Sequence, residues 1–170
     1  MEEQKIIILL IILTISGITD ILKGKIYNII TFPGIIMGIA LGYYYNGVTG
    51  LLTSFGGFGV AGLIFIVLYI WGGFGAGDVK LMMAIGAIVG IKFIFDFIFY
   101  SAIAGGIIAN IVIIKNKRFV QSWKNVLRFF LFLIPKWHLK SVPLRKENSI
   151  SIPFGYAISI GSLLYILFQV

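Results

Sequence analysis

Cysteine is absent from this chain and histidine occurs once, as His138. The first absence excludes disulfides, thiolate metal sites and cysteine nucleophiles. The second excludes a histidine metal cluster, so no metal and no cofactor is expected, and His138 reads as a surface or interfacial residue of a basic segment. Charge is scarce as well. Only 12% of residues are charged, whereas 59% are apolar, too few polar groups to cover a soluble core of this length. The start, Met1-Glu2-Glu3-Gln4-Lys5, lacks a basic n-region, and no small-residue cleavage site follows. It reads as a retained first helix and not as a removable signal.

What the chain has in quantity is apolar runs. A bilayer crossing needs roughly 20 apolar residues, and the pattern predicts an all-α, polytopic membrane protein of about six transmembrane helices. The expected spans are 5–22, 27–45, 48–71, 79–91, 94–114 and 151–169. Low-complexity tracts and solenoid repeats are missing, so residues 1–170 read as a single membrane-embedded domain. Its one sizeable extramembrane piece is 115–150, in which 126–134 is too short to span and suits an interfacial or re-entrant helix.

Basic residues orient the spans. Lys115, Lys117, Arg118, Lys124, Arg128, Lys136, Lys140, Arg145 and Lys146 all fall in the 115–150 connection. Lys23 and Lys25 follow the first span and Lys80 the third, so these connections belong on one side, the cytoplasmic one. Both termini are then extracytoplasmic, together with Lys92 and Asp96. The net charge of +8 is accounted for by anionic lipid beside the spans, and nucleic acid is not an expected partner.

Glycine is abundant and regularly placed. Gly34, Gly38 and Gly42 lie on one helix face, as do Gly86 and Gly90. Small residues on a face let helices approach closely in lipid, either inside the monomer or across a homodimer.

Acids inside membrane helices are expensive and usually functional. Two sit at cytoplasmic helix ends. Asp20 lies about 27 Å of helix from Glu3, near one turn inside the boundary. Asp78 follows the glycine-rich run Trp71-Gly72-Gly73-Phe74-Gly75-Ala76-Gly77 and opens the next helix. The topology puts both at one depth on one side. Two close carboxylates can share a proton, so one can accept from water while the other donates to a peptide carbonyl. That chemistry needs neither metal nor nucleophilic side chain. Structural alternatives stand beside it: Asp78 as a helix N-cap, and Asp20 paired with Lys23 on its own helix. A rival function is a small proton-coupled transporter or membrane subunit relaying ions through Asp20 and Asp78, and a third is a catalytically silent assembly protein.

Three segments carry a family resemblance. Gly75-Ala76-Gly77-Asp78-Val79-Lys80-Leu81 resembles the second aspartate motif of type IV prepilin peptidases and the wider Gly-x-Gly-Asp pattern of polytopic aspartic proteases. Asp20-Ile21-Leu22-Lys23-Gly24-Lys25-Ile26-Tyr27-Asn28 is similar to the first motif, with Tyr27 where proline is usual. Ile152-Pro153-Phe154-Gly155-Tyr156 resembles the Pro-Phe-Gly-Pro-like segment of the last span, with Tyr156 in place of the second proline.

The resemblance implies an aspartic endopeptidase of the cell membrane. Its catalytic pair would be Asp20 and Asp78, with Gly75 and Gly77 shaping the site. Its substrates would be pilin-like precursors with a basic leader and a hydrophobic helix, cut at the cytoplasmic face. The chain looks like the short, peptidase-only forms of tight-adherence pilus or archaeal preflagellin and prepilin systems. The cysteine-bearing region associated with methylation in bifunctional members has no counterpart here, so methyltransferase activity is not expected.

Overall fold

The computed structural model describes residues 2–71, 73–115 and 154–169. Among these, five helices and no strand are present: α1 (Glu3–Lys23), α2 (Asn28–Ile70), α3 (Ala76–Val89), α4 (Ile94–Lys115) and α5 (Phe154–Gln169). Three helices, α1, α2 and Ile94–Val112 of α4, are long and apolar enough to cross a membrane. The chain divides into two compact units, residues 1–106 with 153–170, and residues 107–152. The second falls almost wholly outside the described residues, as do the basic connection 115–150 and the short apolar piece 126–134. The expectation of a single domain therefore stays an expectation.

α2 is 43 residues long, on the order of 64 Å if straight, twice the thickness of a bilayer core. It is not straight. Asn46 (φ −129°) and Gly47 (φ +57°, ψ −140°) leave helical geometry, and only glycine adopts the second conformation without strain. The chain reverses there. Ser54 Oγ donates to the Gly38 carbonyl at 3.4 Å, and a Cβ on Gly50 would run into the Gly42 carbonyl. These pairs are centred on Asn46, so α2 is a hairpin of two antiparallel limbs, 28–45 and 48–70. The two helices expected at 27–45 and 48–71 are those limbs.

The hairpin holds α3. A Cβ at Gly38 would meet the backbone of Ala87 and Ile88, and one at Gly34 would meet Ile12 and Ala84. On the other limb, Gly57 packs on the backbone of Gly86 and Gly90. Both glycine rows thus face neighbours within the chain. The core is completed by Leu9 and Leu13 of α1, Leu81, Met82 and Ile85 of α3, Phe97 of α4 and Ile158 of α5, all at most 2% exposed. α5 lies along α1, where Gly17 faces Ser159, and crosses α4 where Gly161 meets Ser101.

The contact at Gly57 makes a prediction. A methyl there meets backbone atoms that cannot turn aside, so Gly57→Ala should cost about 3 kcal/mol, the upper end of overpacking. Gly59→Ala, with nothing within 4 Å, is the matched control on the same helix. Thermal unfolding in detergent reads the difference. Equal unfolding temperatures for the two variants would show that the α2–α3 contact is looser than described.

At the end where α1 begins, Lys5 Nζ pairs with Glu2 Oε2 at 3.1 Å and stands 5.8 Å from the Tyr45 ring centre. Burial works against the charge of Glu2. Its own backbone N–H, Lys5 and the Asn46 amide outweigh that and hold the carboxyl below its ordinary range. The α3–α4 turn is anchored at this same end. Gly90 takes φ +79°, and the Ile91 N–H donates to the Thr53 carbonyl at 3.0 Å.

Candidate active site

The opposite end gathers the chemistry. α1 closes at Gly24, whose φ of +60° forms a left-handed cap and whose N–H donates to the Asp20 carbonyl at 2.8 Å. This places Asp20 one turn before the end, facing inward, with 8% of its surface exposed. Its carboxylate Oδ2 accepts the backbone N–H of Tyr156, in the first turn of α5, at 3.0 Å. Gly155, beside that donor, is where α5 passes closest. A Cβ there would lie 3.0 Å from both Cγ and Oδ2 of Asp20.

Asp78 is built by its own helix. Gly75 is the extended N-cap of α3 (φ −83°, ψ 155°), and its N–H donates to Asp78 Oδ2 at 2.9 Å. Asp78 is therefore the third helical residue reaching back to the cap, and not the N-cap itself. It too is 8% exposed. With 57 residues between them in the chain, the two aspartates nonetheless line one cleft.

Between them lies a cleft of about 370 Å³, lined by both aspartates and by Lys25, Ile26, Asn28 and Gly77 among others. Gly75 is also on its wall. Gly77 allows close approach: its Cβ would sit 3.0 Å from that of Ile26. Beside the cleft, Lys80 Nζ reaches Asn28 Oδ1 at 2.9 Å and stands 5.8 Å from the Phe32 ring centre. Lys23, the sequence-level candidate partner for Asp20, instead lies 5.5 Å from the centre of the Tyr27 ring. Phe74 packs at a tilt against Phe154, with ring centres 4.6 Å apart, and edge-on against Phe65 at 5.1 Å, joining the glycine-rich connection to α5 and α2.

All four residues picked from the sequence, Asp20, Asp78, Gly75 and Gly77, meet in this cleft. Of the third motif, Ile152 and Pro153 lie outside the described residues, while Phe154, Gly155 and Tyr156 stand against the site. Ile26, Asn28, Lys80 and Tyr156 all stand within the quoted motifs, but their contacts, the Tyr156 N–H to Asp20 and the Lys80–Asn28 bond, carried no signal in the sequence. A backbone donor has no residue type.

Two buried carboxylates, each steadied by one backbone N–H and opening on a shared cleft, suit water activation by a proton-sharing pair. The model of the type IV leader peptidase family matches residues 7–110, more than half the chain. The chain belongs to that family. The match takes in Asp20, Asp78, Gly75 and Gly77, and membership implies a peptidase of an aspartic-type family. No curated relative and no solved structure matches it.

Proposed function

We propose that this protein is a membrane aspartic endopeptidase that removes the basic leader from type IV pilin-like precursors at the cytoplasmic membrane face. The observation that carries the reading is the single cleft shared by Asp20 and Asp78. One carboxylate takes a proton from water, and the resulting hydroxide attacks the scissile carbonyl. The other carboxyl group protonates the carbonyl oxygen, giving a tetrahedral intermediate. Collapse returns a proton to the leaving amine and frees the mature N-terminus. Gly75 sets the turn that presents Asp78, and Gly77 lets α3 close on Ile26. The direct test is to incubate purified protein with a pilin-like precursor in detergent and sequence the product. An intact precursor would sink the proposal. No finding favours ion relay, and family membership speaks for hydrolysis.

In this reading the two limbs of α2 cross separately, and α1, α3, α4 and α5 complete six crossings. Both termini lie outside and 115–150 lies in the cytoplasm, where its bases meet anionic lipid. Because the chain contains no cysteine, a single one placed by Ser149→Cys is a clean reporter. An impermeant thiol reagent applied to intact cells should leave it unlabelled, whereas labelling from outside would reverse the orientation.

The product should also leave unmethylated. Incubation with S-adenosylmethionine and precursor, followed by mass spectrometry, should give a mature chain of unchanged mass. A donor-dependent gain of one methyl group would make the protein bifunctional.

A further inference from the structure

A second cleft is larger than the one that holds the aspartates. It lies at the other end, has a volume of about 810 Å³, and is walled by the start of α1, the bend of α2 and the α3–α4 turn. We propose that it seats the phosphate-bearing headgroup of an anionic membrane lipid.

Charge is the first argument. One carboxylate, Glu2, faces two ammonium groups, Lys5 and Lys92, which leaves one net positive charge on the lining. Lys5 and Glu2 already pair at 3.1 Å. Lys92 is exposed and has no ion pair among the described residues, so it is the cation left to bind. Asp96, one turn further on, accepts from the Tyr165 hydroxyl at 3.2 Å and is not part of the lining. Lysine ammonium groups bind phosphate as point charges, and the Asn46 amide and Thr49 hydroxyl add neutral donors at the same rim.

Position is the second argument. Tyr43, Tyr44 and Tyr45 follow one another just before the α2 bend and are 57%, 77% and 36% exposed. Exposed tyrosines gather at the level of lipid headgroups, and Lys5 reaches the ring of one of them. The cleft therefore opens at headgroup depth. Part of its remaining wall, Val89, Ile91 and Phe93, is apolar and suits the glycerol and upper acyl carbons. The third argument is that the walls are already fixed. The bond from Ile91 to Thr53 ties the α3–α4 turn to α2, and the volume of the cleft lies in the range of small-molecule sites.

The test uses purified full-length protein in an uncharged detergent, titrated with phosphatidylglycerol and, in parallel, with inorganic phosphate. Binding is read by native mass spectrometry and by the rise in unfolding temperature. Wild type should bind the lipid saturably, and Lys92→Gln should weaken that binding about tenfold or more, the worth of a hydrogen bond to a charged group. Lys92→Arg, which keeps the positive charge at the same place, should bind this lipid as wild type does. Circular dichroism establishes that each variant is folded. Unchanged binding in Lys92→Gln, an equal loss in Lys92→Arg, or no saturable binding by wild type would each overturn the site. Equal stabilisation by inorganic phosphate would overturn the lipid as its source.

Discussion

Asp20→Asn and Asp78→Asn should each lower the rate of leader cleavage by on the order of 10³-fold or more, the scale of general acid–base catalysis. Asparagine keeps the shape of aspartate, and its amide oxygen can still accept an N–H. The bonds from Tyr156 to residue 20 and from Gly75 to residue 78 can therefore survive, and the α1–α5 and α3 contacts with them. What is lost is the shared proton. An amide neither takes a proton from water nor gives one to a carbonyl, so either change disables the pair. Because the two act as a unit, the double variant should be little slower than either single one. The measurement is turnover of a pilin-like precursor at matched membrane abundance and matched unfolding temperature. Substantial cleavage by one variant would remove that aspartate from the chemistry.

Gly155→Val should slow cleavage about 10²-fold while both aspartates remain. Glycine at this position lets the first turn of α5 approach Asp20 closely enough for the Tyr156 N–H to reach its carboxylate at 3.0 Å. A Cβ would stand 3.0 Å from the carboxylate carbon and 2.5 Å from Ile26 Cδ1. Ile26 has a flexible end and can turn away. The carboxylate yields only by leaving its donor, and misplacing a catalytic group by about 1 Å can cost that much rate. Gly155→Ala adds the Cβ without the further methyls of valine, so its rate should fall between. The readout is the order of rates, glycine over alanine over valine, with expression and unfolding temperature as controls. A valine variant as fast as wild type would mean that the approach of α5 does not set the position of Asp20.

Much of this arrangement was legible in the sequence because membrane helices obey few rules. The break at Asn46-Gly47 stood out as a pause between two apolar runs, and the structure turns there. Gly34, Gly38 and Gly42 formed one face, and that face packs on α1, α3 and the second limb. Asp20 and Asp78 were placed together because one lies near the end of a span and the other at the start of one, on the same side. Of the six expected crossings, the described helices bear out fewer by length, since three are long and apolar enough to span. α3 has 14 residues and α5 has 16, both short of a full bilayer. The sequence could not supply the second layer of the site. The donor to Asp20 is a main-chain N–H from a segment 136 residues away, and the Lys80–Asn28 bond joins groups 52 residues apart. Such pairings depend on how helices are rotated about their axes, which hydrophobicity leaves free.

The shortness of α3 has a consequence of its own. Its 14 residues span on the order of 21 Å. A helix exposed to lipid would answer such a mismatch by tilting or by thinning the bilayer around it. α3 has little lipid to answer to. Leu81, Met82, Ala84, Ile85 and Ala87 are fully buried, and its glycines lie against other backbones. The hairpin of α2 thus works as a scabbard, and the depth of Asp78 is set by protein contacts along α3 and not by acyl-chain length.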